Sequence, residues 1–169
     1  MTVELIIGGA RSGKSAHALK LTEAASKQCV FIATAEALDD EMAERIARHQ
    51  ADRGANWKTV EAPLALCDAI ESNAAAANVC LVDCLTLWLS NLMHADRNIE
   101  AETDLLVKVL EQAKGRVILV SNEIGMGLVP EHPLGRRFRD KQGRLNQRIA
   151  SVSDRVEFVA AGLPLTLKG

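Results

Sequence analysis

The chain has 169 residues, 48% of them apolar and 25% charged, with a net charge of −2. One domain spanning residues 1–169 accommodates that length and buries about 70% of its unfolded surface, and the slightly acidic balance argues against a general nucleic-acid partner. No apolar run reaches the length of a membrane span and no secretory leader pattern opens the chain; Cys29, Cys67, Cys80 and Cys84 show neither a CxxC pair nor metal spacing, so the expectation is a cytoplasmic protein with buried, reduced thiols.

The first apolar run, residues 3–7, leads into Gly8, Gly9, Ala10, Arg11, Ser12, Gly13, Lys14 and Ser15, and a helical pattern follows over residues 16–27. Strand, glycine loop and helix in that order are the setting a G-x-x-x-x-G-K-[ST] phosphate loop requires. Glycines let successive backbone N–H groups curl around phosphates, and the new helix presents its unpaired N–H groups and positive dipole end to the same anion. Lys14 is placed to reach the β and γ phosphates, and the Ser15 hydroxyl to ligate Mg²⁺. A glycine turn that spells the motif by chance is the bland alternative, and the flanking strand and helix disfavour it. The expectation is a nucleoside triphosphate binder.

Residues 29–33 read as a second buried strand ending in Ala33, Thr34 and Ala35, and ligands of open α/β sheets sit beyond such carboxyl ends. A polar helix is expected over residues 39–53, acids early and bases late. On it Arg45, His49 and Arg53 recur every fourth residue and line one stripe. That stripe reads either as a solvated face or as a phosphate-facing row whose arginines keep the imidazole neutral and nucleophilic; spacing leaves both open. A short extended segment at residues 58–61 ends at Glu61, and residues 64–77 are alanine-rich and helical. Residues 79–83 form an apolar strand ending in Asp83, the form of a Walker B strand whose aspartate helps to hold Mg²⁺, although a helix-capping acid has the same appearance. Helices are expected over residues 85–93 and 100–114, with a polar loop between them and Gly115 as the stop.

Residues 117–120 make another apolar strand, running into Ser121, Asn122 and Glu123. Residues 124–135 hold three glycines and two prolines and read as an irregular, functional loop. Residues 136–148 carry six bases against one acid, either a solvated helix or a basic lid over phosphates. Residues 156–160 are expected to close the sheet, and a turn at residues 162–165 to end the domain. Apolar strands alternating with helices predict an α/β fold, a single phosphate-loop NTPase domain with a mostly parallel sheet flanked by helices.

Several blocks in order spell more than a phosphate loop: Ile-Ala-Thr at 32–34, Leu-Asp-Asp-Glu-Met at 38–42, Arg-Ile-Ala-Arg-His at 45–49, Val-Asp-Cys-Leu-Thr at 82–86, Ser-Asn-Glu-Ile-Gly-Met-Gly-Leu-Val-Pro-Glu at 121–131, Phe-Arg-Asp at 138–140 and Gly-Arg-Leu-Asn-Gln at 143–147. Across essentially its whole length the chain resembles the bifunctional adenosylcobinamide kinase / adenosylcobinamide-phosphate guanylyltransferase family of cobalamin biosynthesis. The resemblance implies phosphorylation of adenosylcobinamide by ATP or GTP, then transfer of GMP from GTP through a covalent guanylyl-histidine. It implies that His49 is that histidine. It also implies GTP contacts at the phosphate loop, at Ala33, Thr34 and Ala35, at Gln50, Ala51, Asp52 and Arg53, at Glu61 and at Asp83, and a homo-oligomer, a trimer. Two rivals come from other classes: a plain small-molecule kinase, independent of His49, and a GTP-binding switch, disfavoured because no Asn-Lys-x-Asp motif appears.

Overall fold

A computed structural model describes residues 2–26, 28–36 and 57–169. In chain order the elements are β1 (Thr2–Gly8), α1 (Lys14–Ala25), β2 (Cys29–Ala33), β3 (Trp57–Glu61), α2 (Leu66–Asn73), β4 (Val79–Asp83), α3 (Leu85–His94), α4 (Ile99–Gln112), β5 (Arg116–Asn122), α5 (Pro133–Val152), β6 (Arg155–Ala160) and β7 (Leu163–Lys168). The expected helix over residues 39–53 falls outside the described residues.

The seven strands among the described residues form one sheet in the order β3-β2-β4-β5-β1-β6-β7. Every pairing is parallel except β6 with β7. The central strands read as unbroken apolar runs because both of their faces are covered. Leu5, Cys80, Val82, Val117 and Leu119 face a core shared with Trp88, Leu106 and Leu145 of α3, α4 and α5. Ile6, Leu81, Ile118 and Val120 face the other way, toward Ala18 of α1. Trp88 is fully buried at the centre of the larger core, and its indole N–H donates to the Leu64 carbonyl at 3.1 Å. The scarcity of aromatics is thus met by one tryptophan set among leucines.

Two expectations need correction. Residues 162–165 do not end the domain in a turn. The reversal is made by Ala161 and Gly162, both at positive φ (51° and 78°), and Leu163–Lys168 returns as an antiparallel edge strand. Pro164 is tolerated there because an outermost strand need not donate on its free side. The helix that carries the basic segment begins at Pro133, inside the stretch 124–135 expected to be irregular, with the His132 side chain accepting from the Leu134 N–H at 3.3 Å. Proline at a first helical position lacks only an N–H that would have no helical partner.

Candidate active site

β1 delivers the chain to the phosphate loop at the carboxyl edge of the sheet. A Cβ on Gly8 would stand 2.4 Å from the Val159 carbonyl and 2.6 Å from Ser12 Oγ, so only glycine fits. Gly13 is the N-cap of α1 at φ 95°, a backbone that a side chain would strain. The tip of the β6–β7 hairpin fastens the loop, with the Gly162 N–H donating to the Ser12 carbonyl at 2.8 Å. No side chain caps α1 and no acid lies in its first turn, so its leading N–H groups and dipole are presented to an anion. Among the described residues Ser12 Oγ is buried without a hydrogen-bond partner, and nothing stands over the Cα of Gly9. Lys14, largely buried, donates from Nζ to the Gly9 carbonyl at 3.0 Å, which holds its ammonium across the loop. These features suit a polyphosphate.

The other strand ends line up beside it. Ala33 is in register with both Glu61 and Asp83, so β3, β2 and β4 bring these three positions into one row. Thr34 has all three of its polar groups taken by the protein. Its N–H donates to the Asp83 carbonyl at 3.4 Å, and its carbonyl accepts from Asn91 Nδ2 at 2.8 Å. Its hydroxyl donates to the Cys84 carbonyl at 2.7 Å and accepts from the Cys84 N–H at 2.8 Å. Thr34 therefore acts on the site by fixing the corner at Asp83 and Cys84, where the peptide bond is cis. Burial, and then the Asp83 charge, push the Cys84 thiol up to about 11. Among the described residues no group of three His, Cys, Asp or Glu side chains could hold a metal. Mg²⁺ needs no such group, because it takes one or two protein oxygens and completes its shell with phosphates and water. Ser15 and Asp83 are of the right kind.

β5 lies between β1 and β4, with Gly8 opposite Asn122 and Asp83 opposite Val120. Its end is tied down on three sides. The Asn122 N–H donates to Thr86 Oγ1 at 2.8 Å, the Asn122 carbonyl accepts from Asn146 Nδ2 at 3.0 Å, and the Glu123 N–H donates to the Gly8 carbonyl at 3.0 Å. Behind it Gln142 Nε2 reaches both Ser121 Oγ and Asn146 Oδ1 at 2.9 Å, inside the core. The sequence shows this strand end without tying Glu123 to a role. The polar run closing an apolar strand was the signal; the position between the phosphate loop and Asp83 was not readable from it.

The basic segment is largely a helix face fastened to its surroundings. Lys141 pairs with Glu100, Arg148 with Asp104 at 2.7 Å, and Arg136 donates to the Pro130 and Glu131 carbonyls. Those contacts favour the solvated-helix reading there. The described histidines are also engaged: His17 with Glu157 at 2.7 Å, His94 with the Ser90 carbonyl, and His132 at the start of α5. Arg45, His49, Gln50, Ala51, Asp52 and Arg53 lie outside the described residues. The four cysteines are buried and unpaired with one another, as expected. Among the described residues no helix is long and apolar enough to cross a membrane.

The sequence profile of the cobinamide kinase / cobinamide phosphate guanyltransferase family matches residues 4–167. The chain is 49% identical over 168 residues to the bifunctional adenosylcobalamin biosynthesis protein CobP of Pseudomonas aeruginosa, covering 98% of this chain and 97% of that one. It is 40% identical to the bifunctional adenosylcobalamin biosynthesis protein CobU of Salmonella typhimurium, covering 97% and 98% of the two chains. Among solved structures it resembles an ATPase domain (TM-score 0.53, 16% identity, 93% of this chain and 68% of that one). It also resembles the flagellar accessory protein FlaH of Methanocaldococcus jannaschii (TM-score 0.53, 12% identity, 99% and 78%). At such identities these structures speak for the fold alone, a phosphate-loop NTPase fold.

Proposed function

The chain belongs to the cobinamide kinase / cobinamide phosphate guanyltransferase family, and from that premise we propose that it carries out both reactions at the carboxyl edge of its sheet. A nucleoside triphosphate, ATP or GTP, phosphorylates the hydroxyl of adenosylcobinamide. GTP then guanylylates His49 with release of pyrophosphate, and adenosylcobinamide phosphate takes the GMP to give adenosylcobinamide-GDP. The observation that carries the reading is a phosphate loop of glycine-only geometry within a family match that spans nearly the whole chain.

In both reactions charge spreads over the group in transfer, phosphoryl in the first and guanylyl in the second, so positioning and electrostatics dominate. The loop N–H groups and the start of α1 bind the polyphosphate, and Lys14 neutralises charge on its oxygens. Mg²⁺, held by Ser15 and Asp83, would supply further charge neutralisation when bound. Ala33, Thr34, Ala35, Glu61 and Gln50 to Arg53 are the proposed remaining nucleotide contacts, Thr34 through the corner it holds. His49 attacks the α-phosphorus through a neutral ring nitrogen, and the bond to pyrophosphate breaks. The engagement of His17, His94 and His132 in structural contacts supports His49 as the acceptor. We also propose a homo-oligomer, a trimer by family resemblance; the exposed Leu163, Leu165 and Leu167 along the edge strand β7 support assembly.

Incubation with GTP labelled on the α-phosphate tests the reading. The protein should retain acid-labile, base-stable label, and His49→Asn should abolish both label and guanylyl transfer while leaving most of the phosphorylation of adenosylcobinamide. Undiminished labelling of the Asn variant would move the nucleophile elsewhere.

A further inference from the structure

The strand that separates the phosphate loop from Asp83 is followed at once by Glu123, a carboxylate that the proposed metal site does not use and that the fold engages through one oxygen. Neighbouring strands stand ~4.8 Å apart, so β5 lies about 5 Å from β1, β4 about 10 Å and β3 about 19 Å. Of the acids at the carboxyl edge, Glu123 is thus nearer the phosphate loop in sheet order than Asp83, and much nearer than Glu61. Its backbone is fixed by the bond from its own N–H to the Gly8 carbonyl and by the two bonds at Asn122. Its side chain is half-buried, and Oε1 accepts from the Gly125 N–H at 2.5 Å. Among the described residues no side chain pairs with this carboxylate, which leaves Oε2 open to a ligand.

We infer that Glu123 is the proton acceptor of the kinase step, a role that rests on the kinase reading above. The cobinamide hydroxyl oxygen forms a bond to the γ-phosphorus while the bond from that phosphorus to the β-phosphate oxygen breaks. The electron pair leaves with the nucleoside diphosphate. The hydroxyl proton passes to Glu123 Oε2, and the resulting carboxylic acid returns it to water. A general base must be held beside the proton it takes before reaction; the three bonds fix the backbone of Glu123 next to the phosphate loop, and the Gly125 N–H holds one of its carboxylate oxygens. Guanylyl transfer to His49 starts from a neutral ring and has no hydroxyl to deprotonate, so it does not use Glu123.

Glu123→Gln separates this role from a structural one, because glutamine keeps the oxygen that accepts from Gly125 but cannot take the proton. Kinase kcat should fall ~10²- to 10⁴-fold, with nucleotide KM and the rate of covalent labelling from α-labelled GTP unchanged. Glu123→Asp, which retains a carboxylate, should recover part of kcat. Kinase turnover of the Gln variant within a few-fold of wild type, or an Asp variant slower than Gln, would overturn the assignment in favour of a loop-holding role. Parallel loss of kinase and labelling, or recovery of kcat on raising Mg²⁺, would overturn it in favour of a nucleotide or metal contact. A wild-type protein that takes up label but cannot phosphorylate adenosylcobinamide would defeat the kinase reading itself, independently of either variant.

Discussion

Thr34→Val removes one buried hydroxyl while keeping the shape of the side chain, and the structure says what that should cost. Thr34 is fully buried, and its hydroxyl serves both polar groups of Cys84. The Cys84 carbonyl also accepts from the Trp88 N–H at 3.2 Å, so it would keep a partner. The Cys84 N–H has no other acceptor among the described residues and would be orphaned inside the protein. An orphaned buried donor costs about 1–3 kcal/mol and the lost second bond at the carbonyl about 1 kcal/mol. The sum, roughly 2–4 kcal/mol, corresponds to a fall in Tm of roughly 4–16 °C for a chain of this size. Thr34→Ser keeps the hydroxyl and loses one methyl, costing about 1 kcal/mol. Thermal and urea unfolding of the two variants should therefore rank Val well below Ser. Since Cys84 follows Asp83, the Val variant should also need more Mg²⁺ for half-maximal turnover. Equal stabilities for Val and Ser would refute the claim that the hydroxyl, and not the packing of Thr34, holds this corner.

Lys14→Ala should lower both phosphorylation and guanylylation ~10²- to 10³-fold with little change in Tm, and near-normal turnover would remove Lys14 from the chemistry. Gly13→Ala puts a Cβ on a φ of 95° and 3.0 Å from Gly162 Cα, so it should destabilise by about 1–3 kcal/mol and raise nucleotide KM; an unchanged KM would mean the loop tolerates the strain. Burial raises the thiols of Cys80 and Cys84 to about 11 and, with nearby acids, that of Cys67 to about 12. A thiol reagent at neutral pH should then react slowly with native protein and fast after unfolding, and rapid native labelling would contradict that burial. Burial raises the Glu157 carboxyl, but hydrogen bonds from His17 and Arg155, with their charges, outweigh it and the net shift is downward. Its stabilisation is therefore complete above about pH 4.5 and is lost as pH falls through the lower folded value. Urea midpoints of wild type and Glu157→Gln should converge below that range, and a gap that persists in strong acid would assign the difference to packing.

What the sequence determined by itself was local or repeated along the chain. The phosphate loop was legible because strand, glycines and helix are contiguous, and because Gly8 and Gly13 answer steric demands met within a few residues. The buried strands were legible because burial on both faces leaves an apolar run. The family was legible because several blocks of side chains agree at once. What only the tertiary structure decided is where those strands lie. No local pattern states that β5 enters between β1 and β4, since pairing between residues more than a hundred positions apart, such as Val3 with Val117, depends on how helices cover the sheet. That insertion puts Glu123 beside the phosphate loop, while the pairing of β2 with β4 lets Thr34 meet Cys84 across fifty positions of chain. β7 escaped for a related reason: Leu163, Leu165 and Leu167 alternate as a strand should, but Pro164 reads as a breaker until the strand is known to be outermost, where its missing N–H removes no ladder bond.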